Sequence, residues 1–280
     1  MKIETIDLKP KTIGESLVRS LRDTGFAVVT GHGIPSIAFR QFYRSWEKYF
    51  ASEEKFKDLF APDRQRGYYP MKSENAKGFS KKDLKEFFHI YPGMELGEIH
   101  GASSTWHLYH RLNQLGQELL QMIDQYSEVD GVSRFSMPLE DMAKDSPQTL
   151  LRVLHYPPIG EDADGAVRAA AHEDINLITL LPAATYPGLQ VKTADGEWIF
   201  ADEHVPKDAI IVNAGDMLQE ASGGYFKSTS HRVVNPIGEG AKISRYSMPM
   251  FIHPHSDVRL SDRYTAGEYL DERLRELGLK

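Results

Sequence analysis

The chain has 280 residues, 41% of them hydrophobic and 26% charged, and its 40 acidic against 33 basic side chains give a formal charge of -7. That size and balance suit a globular core, while the lack of any basic run or long apolar stretch argues against nucleic acid or a membrane as partner. There is no cysteine, so disulfides, thiolate zinc sites, iron–sulfur clusters and cysteine nucleophiles are excluded, and any metal must be held by His, Asp or Glu.

In chain order, residues 1–145 read mainly as helices. Apolar residues at three- and four-residue spacing predict helices over Thr12–Thr24, Ile37–Ala51 and Thr105–Val129, the first closed by Gly25. A short strand, Phe26–Thr30, interrupts them. From Thr149 onward, short apolar or alternating runs separated by turn residues predict strands at Leu150–Tyr156, Leu177–Leu181, Leu189–Lys192, Glu197–Ala201, Ala209–Asn213, His231–Val234 and Arg245–Ile252. Asp195-Gly196 is a hairpin signal between two of these. Strands at such intervals suggest a sandwich or jelly roll. A last helix is predicted over Ala266–Leu277. No linker separates independent domains. The N-terminus lacks a signal-peptide pattern, which makes the cytoplasm the expected compartment.

In His172-Glu173-Asp174 two potential ligands stand two residues apart, so an extended backbone points an imidazole and a carboxylate to one side. His231 opens another predicted strand and supplies a third donor. Two histidines and one carboxylate form a facial triad suited to iron(II), filling three of six octahedral positions and leaving adjacent sites for a bidentate ligand and dioxygen. Other histidine pairs are weaker candidates. His253-Pro254-His255 has the spacing but also a strand-breaking proline, and His107 and His110 fit an exposed helix face. His32, His89, His100 and His204 have no ligand-like context.

Fourteen residues beyond His231 comes Arg245-Tyr246-Ser247, where residues two apart again share a strand face. A guanidinium fork with a hydroxyl beside it matches a ligand carboxylate.

The order and wording of these residues resemble the isopenicillin N synthase-like branch of the 2-oxoglutarate- and iron(II)-dependent oxygenases. The resemblance runs through His172-Glu173-Asp174, Leu177–Leu181, Gly188-Leu189-Gln190-Val191, Trp198, Val212-Asn213-Ala214-Gly215-Asp216, His231-Arg232-Val233 and Arg245-Tyr246-Ser247. Upstream, Gly25-Phe26 and Gly31-His32-Gly33-Ile34-Pro35 extend it to about residues 1–255.

It implies a mainly β fold with flanking helices, a double-stranded β-helix (jelly roll) core over residues 146–255. An N-terminal, mostly helical region (1–145) would wrap that core, and a C-terminal helix (256–280) would complete one structural unit. It implies iron(II) on His172, Asp174 and His231. It implies 2-oxoglutarate on Arg245 and Ser247, with Tyr156 against it, and dioxygen as oxidant. The expected reaction is decarboxylation of 2-oxoglutarate to succinate and carbon dioxide, coupled to hydroxylation or a related oxidation of a small molecule. Lys82–His89 resembles a segment near the pocket, and Tyr68, His155, Phe251 and His253 are candidate substrate-lining residues. Leu154 departs from the Asn of many plant members, and the loop Asn235–Ser244 is long. Three alternatives stay open: an iron oxidase of the same fold that does not use 2-oxoglutarate, a non-catalytic jelly-roll binding protein, and a zinc hydrolase.

Overall fold

A computed structural model describes residues 2–9, 13–60, 65–74, 82–128, 133–160, 166–203 and 205–276. The N-terminal elements are β1 (Thr5–Asp7), α1 (Gly14–Thr24), β2 (Phe26–Thr30), α2 (Ser36–Ala51), β3 (Gly67–Tyr69), β4 (Glu86–Ile90), α3 (Ala102–Ser127) and α4 (Leu139–Ala143). Then follow β5 (Leu150–Tyr156), β6 (Ala169–His172), β7 (Ile178–Pro182), β8 (Leu189–Lys192), β9 (Trp198–Phe200) and β10 (Ile210–Ala214). The chain ends with α5 (Asp216–Ala221), β11 (His231–Val233), β12 (Arg245–Ser247), β13 (Met250–Ile252) and α6 (Ala266–Glu276). Among the described residues no helix is long and apolar enough to cross a membrane.

Two sheets pack face to face. The larger runs β1-β2-β10-β7-β13-β5-β4-β3, with β12 beside β5, and the smaller runs β6-β11-β8-β9. Between them, Phe26, Val28 and Ile211 of the large sheet meet Leu189 and Val191 of the small one, while Phe87, Leu154 and Tyr156 meet Ala169 and Val233. The other face of the large sheet is covered by α1, α2 and α3 in the main core. This is the jelly-roll arrangement expected, with an interior between the sheets where strand alternation can converge side chains.

Local chemistry explains the elements that frame this interior. Helix α1 buries Leu17, Val18 and Leu21 and stops at Gly25, whose φ of 75° lets its N–H return to the Leu21 carbonyl. The chain then turns directly into β2. Long α3 lies close on the large sheet because Gly116 has no side chain against Ile252 and Leu180. The Asp195-Gly196 turn joins β8 to β9 with Gly196 at φ 89°.

The structure departs from the sequence expectation in four places. The N-terminal residues, read as mainly helical apart from the strand Phe26–Thr30, also supply β1, β3 and β4 to the large sheet. The Ala-rich β6 carries no β-branched signal and holds its place by pairing with β11. The predicted strand Arg245–Ile252 is two strands, because Pro249 cannot donate to the ladder; its carbonyl accepts from Arg152 N–H at 3.0 Å instead. Short α5 was not expected. The ends of the predicted first, third and last helices, Thr12, Val129 and Leu277, lie outside the described residues.

Candidate metal centre

His172 ends β6 and His231 opens β11, and the two are direct partners in the antiparallel ladder. Their rings stand 4.4 Å apart. Asp174, two residues past His172, brings Oδ1 to 3.7 Å from His231 Nε2. One donor atom from each of the three lies within 4.8 Å of the others, and among the described residues this is the sole cluster of three or more such groups.

Hydrogen bonds orient each donor. His172 Nδ1 lies 2.8 Å from the Ala170 carbonyl and His231 Nδ1 3.2 Å from that of Thr229. Carbonyls only accept, so Nδ1 carries the proton in both rings and each Nε2 offers its lone pair to the centre. Asp174 Oδ2 accepts from Thr179 Oγ1 at 2.5 Å and Asn213 Nδ2 at 2.9 Å, leaving Oδ1 for a metal. Burial and then the charge of His231 push the His172 pKa down to about 4, keeping it a neutral ligand. Burial alone would raise Asp174, but His231, His172, Asn213 and Thr179 outweigh it and hold the carboxyl below its usual range.

The cavity over this cluster is lined by Tyr156, Arg245 and Ser247 together with Lys85, Arg152 and Phe251. Arg245 is 1% exposed. Its Nε donates to the Tyr186 carbonyl at 2.8 Å, its Nη2 lies 3.8 Å from Asp202, and its Nη1 is buried with no partner among the described residues. Register explains the grouping: Arg245 pairs with Tyr156 and Ser247 with Leu154, so all four reach the interior. Leu154 is part of the wall.

Of the candidate substrate residues, Phe251 lines this cavity. Tyr68 and His155 do not: both bind Glu86, His155 at 2.7 Å, in a network with Lys55 on the helix-covered side of the large sheet. His155 stacks there on Tyr246. Alternation along β5 puts residue 155 opposite to 154 and 156, which corrects its placement in the pocket. The same parity could have found Arg152, which sequence reasoning missed. His253 follows β13 with its backbone N–H on Thr149, outside the cavity lining, and burial takes its pKa down to about 4.

The other histidines are occupied elsewhere. His255 binds the Lys144 carbonyl, His32 that of Asp208, and His100 the Asp58 carboxylate. His204 lies outside the described residues. Within Lys82–His89, Lys85 bridges Asp83 and Glu74, each at 2.9 Å, and Arg152 joins Glu74 at 3.2 Å. The Arg152 guanidinium lies over Phe87 at 4.5 Å and near Phe251 at 5.6 Å. The long loop closes through a 3₁₀ turn, Gly238–Lys242, and a 2.7 Å bond from Ile159 N–H to Ala241.

A jelly roll that presents two imidazoles and a carboxylate to one cavity between its sheets defines a mononuclear non-haem metal enzyme. Comparison with known proteins agrees with that class. The profile of the 2OG-Fe(II) oxygenase superfamily matches residues 147–254, and that of the N-terminal region of non-haem dioxygenases in morphine synthesis matches residues 3–115. A crystal structure from Shewanella oneidensis, of a protein classed as an oxygenase, is 47% identical over all of both chains with a TM-score of 0.87. A full-length Neurospora crassa protein, solved in complex with alpha-KG, is 25% identical, with 97% of this chain and 95% of that one covered and a TM-score of 0.80. A 2-oxoglutarate-Fe(II) type oxidoreductase of Aspergillus fumigatus is 30% identical over 86% of this chain and 77% of its own. The chain belongs to the isopenicillin N synthase-like family of 2-oxoglutarate- and iron(II)-dependent dioxygenases. It couples oxidative decarboxylation of 2-oxoglutarate to oxidation of a second substrate, with iron(II) and dioxygen as cofactor and oxidant.

Proposed function

We propose that His172, Asp174 and His231 hold the iron, that Arg245 with Ser247 and Tyr156 anchors the distal carboxylate of 2-oxoglutarate, and that a small molecule is oxidised in the same cavity within reach of Lys85, Arg152 and Phe251. The observation that carries the reading is the buried, unpartnered Nη1 of Arg245 in the same cavity as the three donors. A buried guanidinium N–H without an acceptor is costly, and a carboxylate placed there offsets that cost. The donor set fits iron(II) equally well: nitrogen and oxygen ligands, no thiolate, and three donors on one side of a hexacoordinate ion.

Iron(II) held by His172, Asp174 and His231, with 2-oxoglutarate bound, would supply the dioxygen-activating chemistry that yields succinate and carbon dioxide. The protein's own part is placement. The Nδ1 bonds fix both imidazole tautomers, and Thr179 and Asn213 lock the Asp174 rotamer. Arg245, fixed by Tyr186 and Asp202, sets the distance between anchor and metal. Phe26, Leu154, Leu181, Leu189 and Val233 line the walls and keep bulk water from the reacting atoms. Lys85 and Arg152 are held rigid by Glu74 yet keep unused N–H donors, which suits a substrate bearing hydrogen-bond acceptors.

The test is succinate formation by iron(II)-loaded protein given 2-oxoglutarate and air, beside Asp174→Ala. The variant is expected to lose iron binding and succinate while keeping its circular dichroism. Succinate at the wild-type rate in that variant rejects the assignment.

A further inference from the structure

Beside the anchor stands a second buried cation. Arg168, directly before β6, is 0% exposed. Its side chain makes one hydrogen bond, Nη2 to the Ile243 carbonyl at 2.7 Å, while Nε and Nη1 are buried without an acceptor. Ile243 is two residues before Arg245, so Arg168 reaches from the small sheet to the approach of β12. Arg245 Nε is on the Tyr186 carbonyl, and the Arg168 charge interacts with Arg245, Tyr156 and Tyr186.

Among the described residues, charge compensation at this end is incomplete. Arg168 makes no ion pair among the described residues. Asp202, 3.8 Å from Arg245, already accepts from the N–H groups of Gly188 and Leu189. Among the described residues, two guanidiniums against one committed carboxylate leave one positive charge over, and a buried charge needs a partner. Burial and then Arg245 lower the Arg168 pKa to about 10, so it stays a cation at neutral pH.

We propose that Arg168 is a positioning residue for the cosubstrate: its charge behind Arg245 is balanced by the distal carboxylate and makes the site select a dicarboxylic over a monocarboxylic 2-oxo acid. The inference rests on Arg245 being the anchor. A purely structural Arg168 would instead fasten the 235–244 loop. However, that loop is also tied through the Arg168 backbone, whose N–H donates to Asn235 at 2.9 Å, and through Asn235 to Ala166 at 2.7 Å. Both bonds survive a change of side chain.

The experiment is anaerobic calorimetry of the iron(II) protein with 2-oxoglutarate and with 2-oxopentanoate, which lacks the distal carboxylate, together with ligand-free melting. Arg168→Met is expected to weaken 2-oxoglutarate binding about tenfold or more. It should leave 2-oxopentanoate binding unchanged, and the ligand-free Tm no lower than wild type. Arg168→Lys keeps the charge and is expected to retain most of the affinity. Unchanged 2-oxoglutarate affinity in the Met variant, equal loss of both ligands, or a Met variant that melts early or does not fold while the Lys variant binds no better than wild-type protein binds 2-oxopentanoate, each overturns the proposal. Wild-type protein that binds no 2-oxoglutarate is a separate failure, of the Arg245 anchor itself.

Discussion

Asn213, on β10, reaches across to Asp174 and gives its amide to Oδ2 at 2.9 Å. Thr179, on the neighbouring β7, gives its hydroxyl to the same oxygen, and Asn213 and Thr179 face each other in the ladder. Asp174 is therefore oriented by a pair of side chains whose own positions are set by sheet register. The other oxygen is left turned toward His231.

Removing one of those donors tests how much of the metal affinity is orientation. Asn213→Ala is expected to lower iron affinity by roughly 10- to 100-fold, the usual effect of losing a bond behind a ligand, with the fold retained. Anaerobic iron titration of variant and wild type reads this directly. Equal affinities would show that Thr179 alone suffices.

Arg245→Lys exchanges a planar fork for a point charge and gives up the Nε bond to the Tyr186 carbonyl. Affinity for 2-oxoglutarate is expected to fall by more than about tenfold, while iron affinity stays within about twofold because Arg245 donates to none of the three ligands. Both constants come from the same anaerobic titrations. An iron affinity that falls in parallel would mean the substitution had disturbed the metal centre rather than the anchor.

How much of this was legible beforehand depends on where each signal resides. Leu150–Tyr156 and Leu189–Lys192 match their predicted bounds because apolar character and turn residues are local. The His172/Asp174 and Arg245/Ser247 pairs were readable for the same reason, since a two-residue spacing places side chains together without knowledge of the rest. Strand β4 was not readable. Glu86 and His89 are polar yet buried, tolerated there because Lys55, His155 and Arg152 satisfy them from distant parts of the chain. Nothing local in the sequence marks Arg168 as buried; only the packing of the two sheets makes it so. His155 is different: its misplacement was one of parity, and Tyr156 already contained the information to avoid it.

His89 gives a pH prediction. Its Nδ1 lies 2.9 Å from the Gln65 carbonyl and its Nε2 accepts from Arg152 at 2.8 Å, so both ring nitrogens are engaged in the neutral form. Burial and then Arg152 hold its pKa well below 6.5. As pH falls below that value the unfolded chain takes up a proton that the folded one refuses. Stability is thus complete above about pH 6.5 and declines below it, by up to ~1.4 kcal/mol per pH unit for one such group. His172 and His253, each held near 4, add to the same limb. His89→Gln is expected to flatten, not abolish, the fall in urea midpoint between about pH 6.5 and 5. An unaltered slope would assign the acid limb to the other two.

Gly215 connects the fold to the metal most directly. Its φ of -101° suits any residue, so space rather than backbone conformation demands glycine. An added Cβ would lie 2.2 Å from the Asn176 carbonyl oxygen and 2.3 Å from its Oδ1. Asn176 has little freedom to retreat. Its carbonyl accepts from Met217, and its Nδ2 donates to the Ile178 carbonyl and to Thr179 Oγ1, both at 2.9 Å. Thr179 is the same hydroxyl that holds Asp174, and Asp216 N–H is bonded to the Asp174 carbonyl at 2.7 Å. Gly215→Ala therefore forces apart the segment that aims the carboxylate. It is expected to cost about 1–3 kcal/mol in urea unfolding and to weaken iron binding as well. Gly196→Ala is the control: its φ of 89° brings backbone strain, but nothing lies within 4 Å and the turn is remote from the ligands. That variant is expected to lose about 1 kcal/mol of stability and none of its iron affinity. If both glycine variants bound iron like the wild type, the crowding at residue 176 would not be transmitted to Asp174, and the path from β10 through Thr179 to the metal would have to be abandoned.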